Sequence, residues 1–322
     1  MRLQLNQFFA LAGLTALETV RQPITLILVA SCIVFIGVLP VLLTHTLGES
    51  ARLVRDSAFA LHFVCGLILG GYAACSSLTH EIRRGTAAAV LSKPVGRHTF
   101  FIAKYGGIAC VLVLFSLYVT LATLLSVRMV HEAYTIDQWA GGAMLLALLA
   151  AFAIGGLLNY TLRKPFCSTT FFCMGILLVA AFVGVNLLDD HGNRVAFGGL
   201  VDWNLIPVSG LVSMGILVLA AIAVSLATRF EVLATLAACT AIFLLGLMSD
   251  YLFGETAATS GIVRILYALV PNWQHFWVVD ALSSDTPIPG HYLLTAAGYG
   301  LFYLAGVLCL GLLAFRKMEV NA

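Results

Sequence analysis

The sequence predicts an all-α polytopic membrane protein of about eight transmembrane helices, and three observations carry that prediction. Of 322 residues, 61% are apolar and only 10% are charged, whereas a soluble domain holds roughly 25% charged residues. Mean hydropathy is +1.01. The apolar residues fall in near-continuous runs close to the roughly 20 residues that a helix needs to cross a bilayer. Seventeen Lys and Arg with fifteen Asp and Glu are too few to coat a water-exposed surface of this size. A soluble enzyme, a nucleic-acid binder and a disordered scaffold are thereby excluded. No connection is long enough for a soluble domain of about 100–150 residues, so residues 1–322 read as a single transmembrane domain.

Residues 1–22 come first. Leu5, Phe8, Phe9, Ala12, Ala16 and Val20 share one helical face, which predicts an amphipathic helix lying on the cytoplasmic membrane surface. The alternative is the soluble first turns of the span that follows. Gln4, Asn6, Gln7, Thr15 and Glu18 interrupt any apolar core, so the segment does not read as a secretory signal. Eight runs follow, at residues 24–43, 58–78, 105–127, 139–162, 166–188, 205–227, 232–253 and 292–315. A bilayer offers no water to irregular backbone, so each is read as a helix. Arg163-Lys164-Pro165 and Thr228-Arg229-Phe230-Glu231 are the only breaks between the fourth and fifth runs and between the sixth and seventh. Each predicts a tight helix–helix turn.

Charge sets the orientation. With the amino terminus in the cytoplasm, the inside holds Arg2, Arg21, Arg83, Arg84, Lys93, Arg97, Lys104, Arg163, Lys164, Arg229, Arg316 and Lys317. The outside keeps Arg52, Arg55, Arg128, Arg194 and Arg264. The excess of Lys and Arg marks the cytoplasmic side, so both termini are expected inside.

Much chemistry is missing from the pattern. The eight cysteines lie within or at the edges of apolar runs, without a CxxC, and read as small buried residues rather than metal ligands or disulfide partners. No GxxxxGK[ST] occurs, so no P-loop binds nucleotide here. His80-Glu81 and His131-Glu132 begin like a zinc motif, but Arg84 and Thr135 stand where the second histidine is needed. Asp189-Asp190-His191-Gly192-Asn193 reads as a solvated turn. Span centres lack Asp, Glu, Lys and Arg, while His62 and Asn159 read as helix–helix contacts. An ion gradient therefore finds no titrating centre. The energy source is expected on another chain, with no catalytic residue, cofactor or metal on this one.

The longest inner connection, residues 79–104, reads THEIRRGTAAAVLSKPVGRHTFFIAK. Gly85 suits a left-handed helix stop, and Thr86 suits the cap of a new helix. Residues 87–91 form a short small-residue helix, and Pro94 forces Lys93 out of the helical region. Gly96 and Arg97 turn the chain back toward the third span. The product is a short apolar helix held crosswise beneath the membrane with basic residues on either side, a shape that fits a partner's groove. An ordinary positive-inside connection is the plainer alternative, but the order of Gly85, Thr86, Pro94, Arg97 and Lys104 is more specific than charge.

Glu81, Gly85, Thr86, Leu91, Ser92, Lys93, Pro94, Val95, Arg97, Phe100 and Lys104 form E-x-x-x-G-T-x-x-x-x-L-S-K-P-V-x-R-x-x-F-x-x-x-K. This pattern, with Arg84 inside it, resembles the signature loop of ABC-2-type transporter permeases. The resemblance implies that the loop is a coupling helix docking on an ATPase subunit, and the family also carries an N-terminal surface helix. Near the other end, Pro271-Asn272-Trp273-Gln274-His275-Phe276, then Asp280, precede a last span closed by Phe315-Arg316-Lys317. Similar permeases show a PN-x-x-x-F motif and a basic pair there. The resemblance covers residues 1–130 and 228–318 well and 131–205 weakly. Many members have six spans, so six to eight is the expected range.

Two features remain. Residues 254–291 are the longest stretch outside the runs, and residues 262–270 are too short to cross. Pro271 ends that stretch, Asn272 can cap a second short helix, and Trp273, Phe276, Trp277 and Val278 give it an apolar side. Such helices are interfacial or re-entrant. In the resembling family they form an external gate, and aromatic anchoring is the alternative. Gly66 and Gly70 make a GxxxG in the second run, suited to close packing within the chain, to a subunit interface or to a pathway wall.

The resemblance thus implies a permease subunit of an exporter in the cell (inner) membrane, not itself an enzyme. It would work with two copies of an ATPase that binds ATP and Mg, a second permease chain, identical or not, and membrane lipid. A gradient-driven secondary transporter and a polytopic scaffold without transport activity are the alternatives.

Overall fold

The computed structural model describes residues 2–43, 49–79, 96–130, 137–189, 192–254, 260–284 and 288–316. Inner and outer ends are named from the charge asymmetry. The chain begins with α1 (Arg2–Arg21), and Gln22, in an extended conformation, makes the corner into α2 (Pro23–Leu42). Pro23 at the first helical position has the φ that the helix needs and no N–H to leave unpaired. α3 (Ser50–Ala74) runs inward and ends in a π-helical turn, Cys75–Thr79. α4 (Arg97–Met129) has 33 residues, about 50 Å at 1.5 Å per residue, well over the roughly 30 Å hydrocarbon core. Then come α5 (Gln138–Leu162), α6 (Phe166–Val185), α7 (Leu205–Ala227) and α8 (Val232–Leu247). α9 (Ser249–Phe253) and α10 (Gly261–Leu269) follow, with 3-10 turns at Trp273–His275 and Val279–Ser284, and α11 (Gly290–Arg316) closes the bundle.

Seven of these helices (α2 to α7 and α11) are long and apolar enough to span, and α8 is a shorter apolar helix. The fold is the all-α polytopic one that the sequence predicts, with one run divided. The stretch 232–253 is broken at Met248, leaving α8 with 16 residues, about 24 Å of helix. The break has local causes. Ser249 Oγ donates to the Gly246 carbonyl at 2.9 Å, and a Cβ on Gly246 would lie 2.3 Å from both the Pro271 oxygen and Trp273 Nε1. The following segment thus presses into the helix where hydropathy alone sees no interruption. α3 and α4 also start earlier than their apolar runs, at Ser50 and Arg97, because their first turns are polar.

α3, α4 and α7 form the enclosed centre, while α5 and α11 keep broad apolar faces outward. A polar seam crosses that centre. His62 Nε2 meets Ser116 Oγ at 3.0 Å, Thr120 Oγ1 donates to the Ser116 carbonyl at 2.6 Å and shares a hydrogen bond with Ser209 Oγ, and Ser213 Oγ donates to the Ser209 carbonyl at 2.6 Å. Inside an apolar bundle these hydroxyls have only one another and the helix carbonyls to bond. His62 is thus the helix–helix contact expected of it, to α4. The α5–α6 connection is the expected tight turn: Arg163 takes the left-handed conformation (φ 51°), and Asn159 Nδ2 donates to the Lys164 carbonyl at 2.6 Å. All eight cysteines are free thiols.

Candidate functional site

The chemistry gathers at the two ends of the bundle. At the inner end, α1 lies along the first half of α4. Gly106 and Gly107 make this approach possible. A Cβ on Gly107 would sit 2.5 Å from the Ala12 carbonyl oxygen and 2.7 Å from Thr15 Cβ, and one on Gly106 would lie 3.1 Å from the Phe8 ring. One turn earlier, buried Lys104 places Nζ 3.8 Å from the Glu18 carboxylate and 5.7 Å from the centre of the Phe100 ring. α1 and α4 are therefore joined by both close packing and charge.

A second attachment starts about two turns earlier, at the first residue of α4. Arg97 Nη1 donates to the Arg316 carbonyl at 3.3 Å, and Arg229 Nη2 donates to the Ala314 carbonyl at 3.2 Å. Two cations thus meet the carbonyls at the end of α11, where the helix dipole is negative. Buried Phe315 stacks on Phe100 at 6.0 Å and on Phe101 at 5.9 Å. On the other side of the inner connection, Gln22 Nε2 donates to Ser76 Oγ in the π turn at 3.0 Å. Of the residues singled out in the loop, Arg97 and Lys104 are in this assembly. Glu81, Arg84, Gly85, Thr86, Leu91, Lys93 and Pro94 lie outside the described residues.

At the outer end, the PN motif is the centre of a hub. Asn272 Nδ2 donates to Asp250 Oδ1 at 2.7 Å, its Oδ1 accepts from the Gln274 N–H at 2.9 Å, and its own N–H donates to Tyr299 Oη at 3.1 Å. One residue so joins α9 and the 3-10 turn that it caps through its side chain, and α11 through its backbone N–H. Tyr267 Oη donates to Asp250 Oδ1 at 2.5 Å, and Tyr303 Oη donates to the Leu269 carbonyl at 2.7 Å. The Asp250 carboxylate, first, and burial, second, hold the Tyr267 hydroxyl above the ordinary tyrosine pKa, because the neutral phenol is the donor. Trp273 is enclosed by Phe63, Phe243 and Phe276, with ring centres 6.1 to 6.3 Å away. Pro271 and Phe276 are buried beside it, so Pro271, Asn272, Trp273 and Phe276 come together. Asp280 stands apart, exposed on the second 3-10 turn.

Gly66 of α3 allows a close approach within the chain, whereas Gly70 makes ordinary contacts. A Cβ on Gly66 would lie 2.5 Å from Ile216, and one on Gly70 would lie 3.4 Å from Ala220, both on α7. Several partners escaped the sequence reading. Asp250 is given no role there, and nothing pairs it with Asn272 or Tyr267. Arg128 counts only as an outer basic residue. In the fold it is buried, with Nε donating to Asp137 Oδ2 at 3.0 Å, Nη1 to the Val185 carbonyl at 2.8 Å and Asn186 Oδ1 at 2.9 Å, and Nη2 to the Leu188 carbonyl at 2.6 Å. Asp137 also caps α5 through the N–H groups of Trp139 and Ala140. An Asp directly before an apolar run was the available signal for that cap.

A family model described as ABC-2 family transporter protein matches residues 26–230, more than half of the chain. A comparison with curated proteins gives no match. The matched stretch runs from α2 through the turn after α7 and includes the inner connection with the loop pattern. With seven helices able to span and that match, the chain belongs to the ABC-2 family of transporter proteins, as a multi-pass transmembrane permease component.

Proposed function

We propose that this permease is driven by a separate ATPase that grips the inner connection, residues 79–104, and that it works as an exporter. The observation that carries the reading is the double attachment at the exit of that connection. Lys104 with Gly106 and Gly107 binds α4 to α1, while Arg97 with Phe100 and Phe101 binds α4 to the end of α11. Any displacement of the connection therefore bears on α1, α4 and α11 together. From Phe315 to Tyr299, α11 covers 16 residues, about 24 Å, and Tyr299 accepts from Asn272 in the outer hub. A stiff helix so links the loop's exit to the outer closure.

ATP and Mg would act on the partner alone. Closure of two ATPase subunits shifts the permease pair only because the partner binds its two states with different affinity. The test is co-expression with an ATPase of this family and measurement of complex formation and permease-stimulated hydrolysis. Gly85→Pro and Arg97→Glu are expected to abolish both, with Arg52→Glu on the outer side unchanged. Stimulation that survives both inner substitutions rules the reading out.

A further inference from the structure

Between α3, α8 and the PNW segment lies an outer-half recess of about 240 Å³, walled by Phe63, Val64, Phe243, Leu247, Trp273 and Trp277, with Ala60 at its edge. Phe63 and Phe243 stack at 5.2 Å to form its back. Trp273 lies at its floor, nearly fully buried, with its N–H turned toward Gly246 and without a hydrogen-bond partner among the described residues. The lining is almost wholly apolar, so it offers a headgroup or a polar ligand nothing to bond. The volume is below the roughly 300 Å³ at which drug-sized pockets begin.

The recess is continuous with the lipid-facing surface of the bundle. Ala60, Val64 and Leu247 are exposed at its mouth, and Leu244 adds further exposed apolar surface on α8. We infer that it holds one acyl chain of an outer-leaflet phospholipid, lodged against the aromatic wall beside Trp273. Transfer from lipid to this wall gains nothing from the hydrophobic effect. What holds the chain is contact, because an empty apolar void forfeits the dispersion attraction of the groups that line it. Trp273 itself is only 1% exposed, so a chain in place rests on Phe243, Leu247 and Trp277 and closes the recess over the buried indole. The inference needs only a membrane-spanning chain and is independent of the proposed ATPase.

The experiment uses the chain alone. Trp139→Phe/Trp203→Phe leaves Trp273 and Trp277 as the only tryptophans, and the protein is reconstituted in phosphatidylcholine vesicles with brominated or plain chains. Bromine quenches on contact, and filling the recess with Ala60→Leu or Val64→Phe is expected to reduce that quenching about twofold as chain contact is lost. A phosphatidylcholine with a photoreactive diazirine in its chain is expected to label residues 60–64 and 243–247, and to lose that label in both variants. Quenching unchanged by both substitutions, or label spread as densely over the outward faces of α5 and α11, overturns the site. The wild-type thermal midpoint in both variants shows that the loss is local.

Discussion

Asn272 and Asp250 meet across the break that ends α8, the amide donating to the carboxylate at 2.7 Å. The same side chain caps the next turn, while the backbone N–H of Asn272 donates to Tyr299, so one residue ties α9, the turn and α11 together. Asn272→Leu is expected to destabilise by about 1–3 kcal/mol, the cost of leaving buried partners unsatisfied. Asn272→Asp sets two carboxylates against each other and raises the pKa of the pair. A folded-state pKa raised by repulsion means a penalty present at neutral pH and relieved below about 4, the carboxylate range. Thermal midpoints at pH 7 and pH 4 check both variants, and an Asn272→Asp midpoint that does not rise toward the wild-type value on acidification refutes the pairing.

Glu18 is half exposed and Lys104 is buried, so the two residues respond differently. Glu18→Gln is expected to change stability by no more than about 1 kcal/mol, as for a screened pair. Glu18→Lys places a second cation on Lys104 and is expected to loosen α1 from α4. Faster amide exchange over residues 5–20 of α1 alone, with α4 still protected, is the readout.

Glycine substitutions should sort by what the structure puts next to them. Gly107→Ala meets the Ala12 carbonyl at 2.5 Å and is expected to cost about 1–3 kcal/mol, as overpacking does. Gly70→Ala meets ordinary contacts at 3.4 Å and should be close to neutral, whereas Gly142 has nothing within 4 Å among the described residues. Gly142→Ala should therefore gain the roughly 0.8–1 kcal/mol of helix propensity. Any other order in the three melting midpoints contradicts the packing.

Arg128 and Asp137 hold the outer ends of α4, α5 and α6 together. Arg128→Met leaves the Asp137 carboxylate buried without its partner, at about 3–5 kcal/mol. Arg128→Lys should recover little, since an ammonium cannot reproduce the fork that reaches Val185, Asn186 and Leu188. Unfolding monitored with the protein in detergent distinguishes the two outcomes.

The amino-acid sequence by itself determined the membrane class, the position of nearly every span, the Arg163–Pro165 turn and the capacity of Asn272 to cap. Hydrocarbon imposes these on any chain that crosses it, since a crossing needs an unbroken apolar stretch and a break shows as charge or turn residues. Lateral partners were decided only by the tertiary structure. Spans that are apolar on all sides carry no periodic mark of which face meets which helix. Lys104 with Glu18, Asp250 with Asn272, Arg128 with Asp137 and the division of run 232–253 at Met248 therefore arose from packing between segments far apart in the chain.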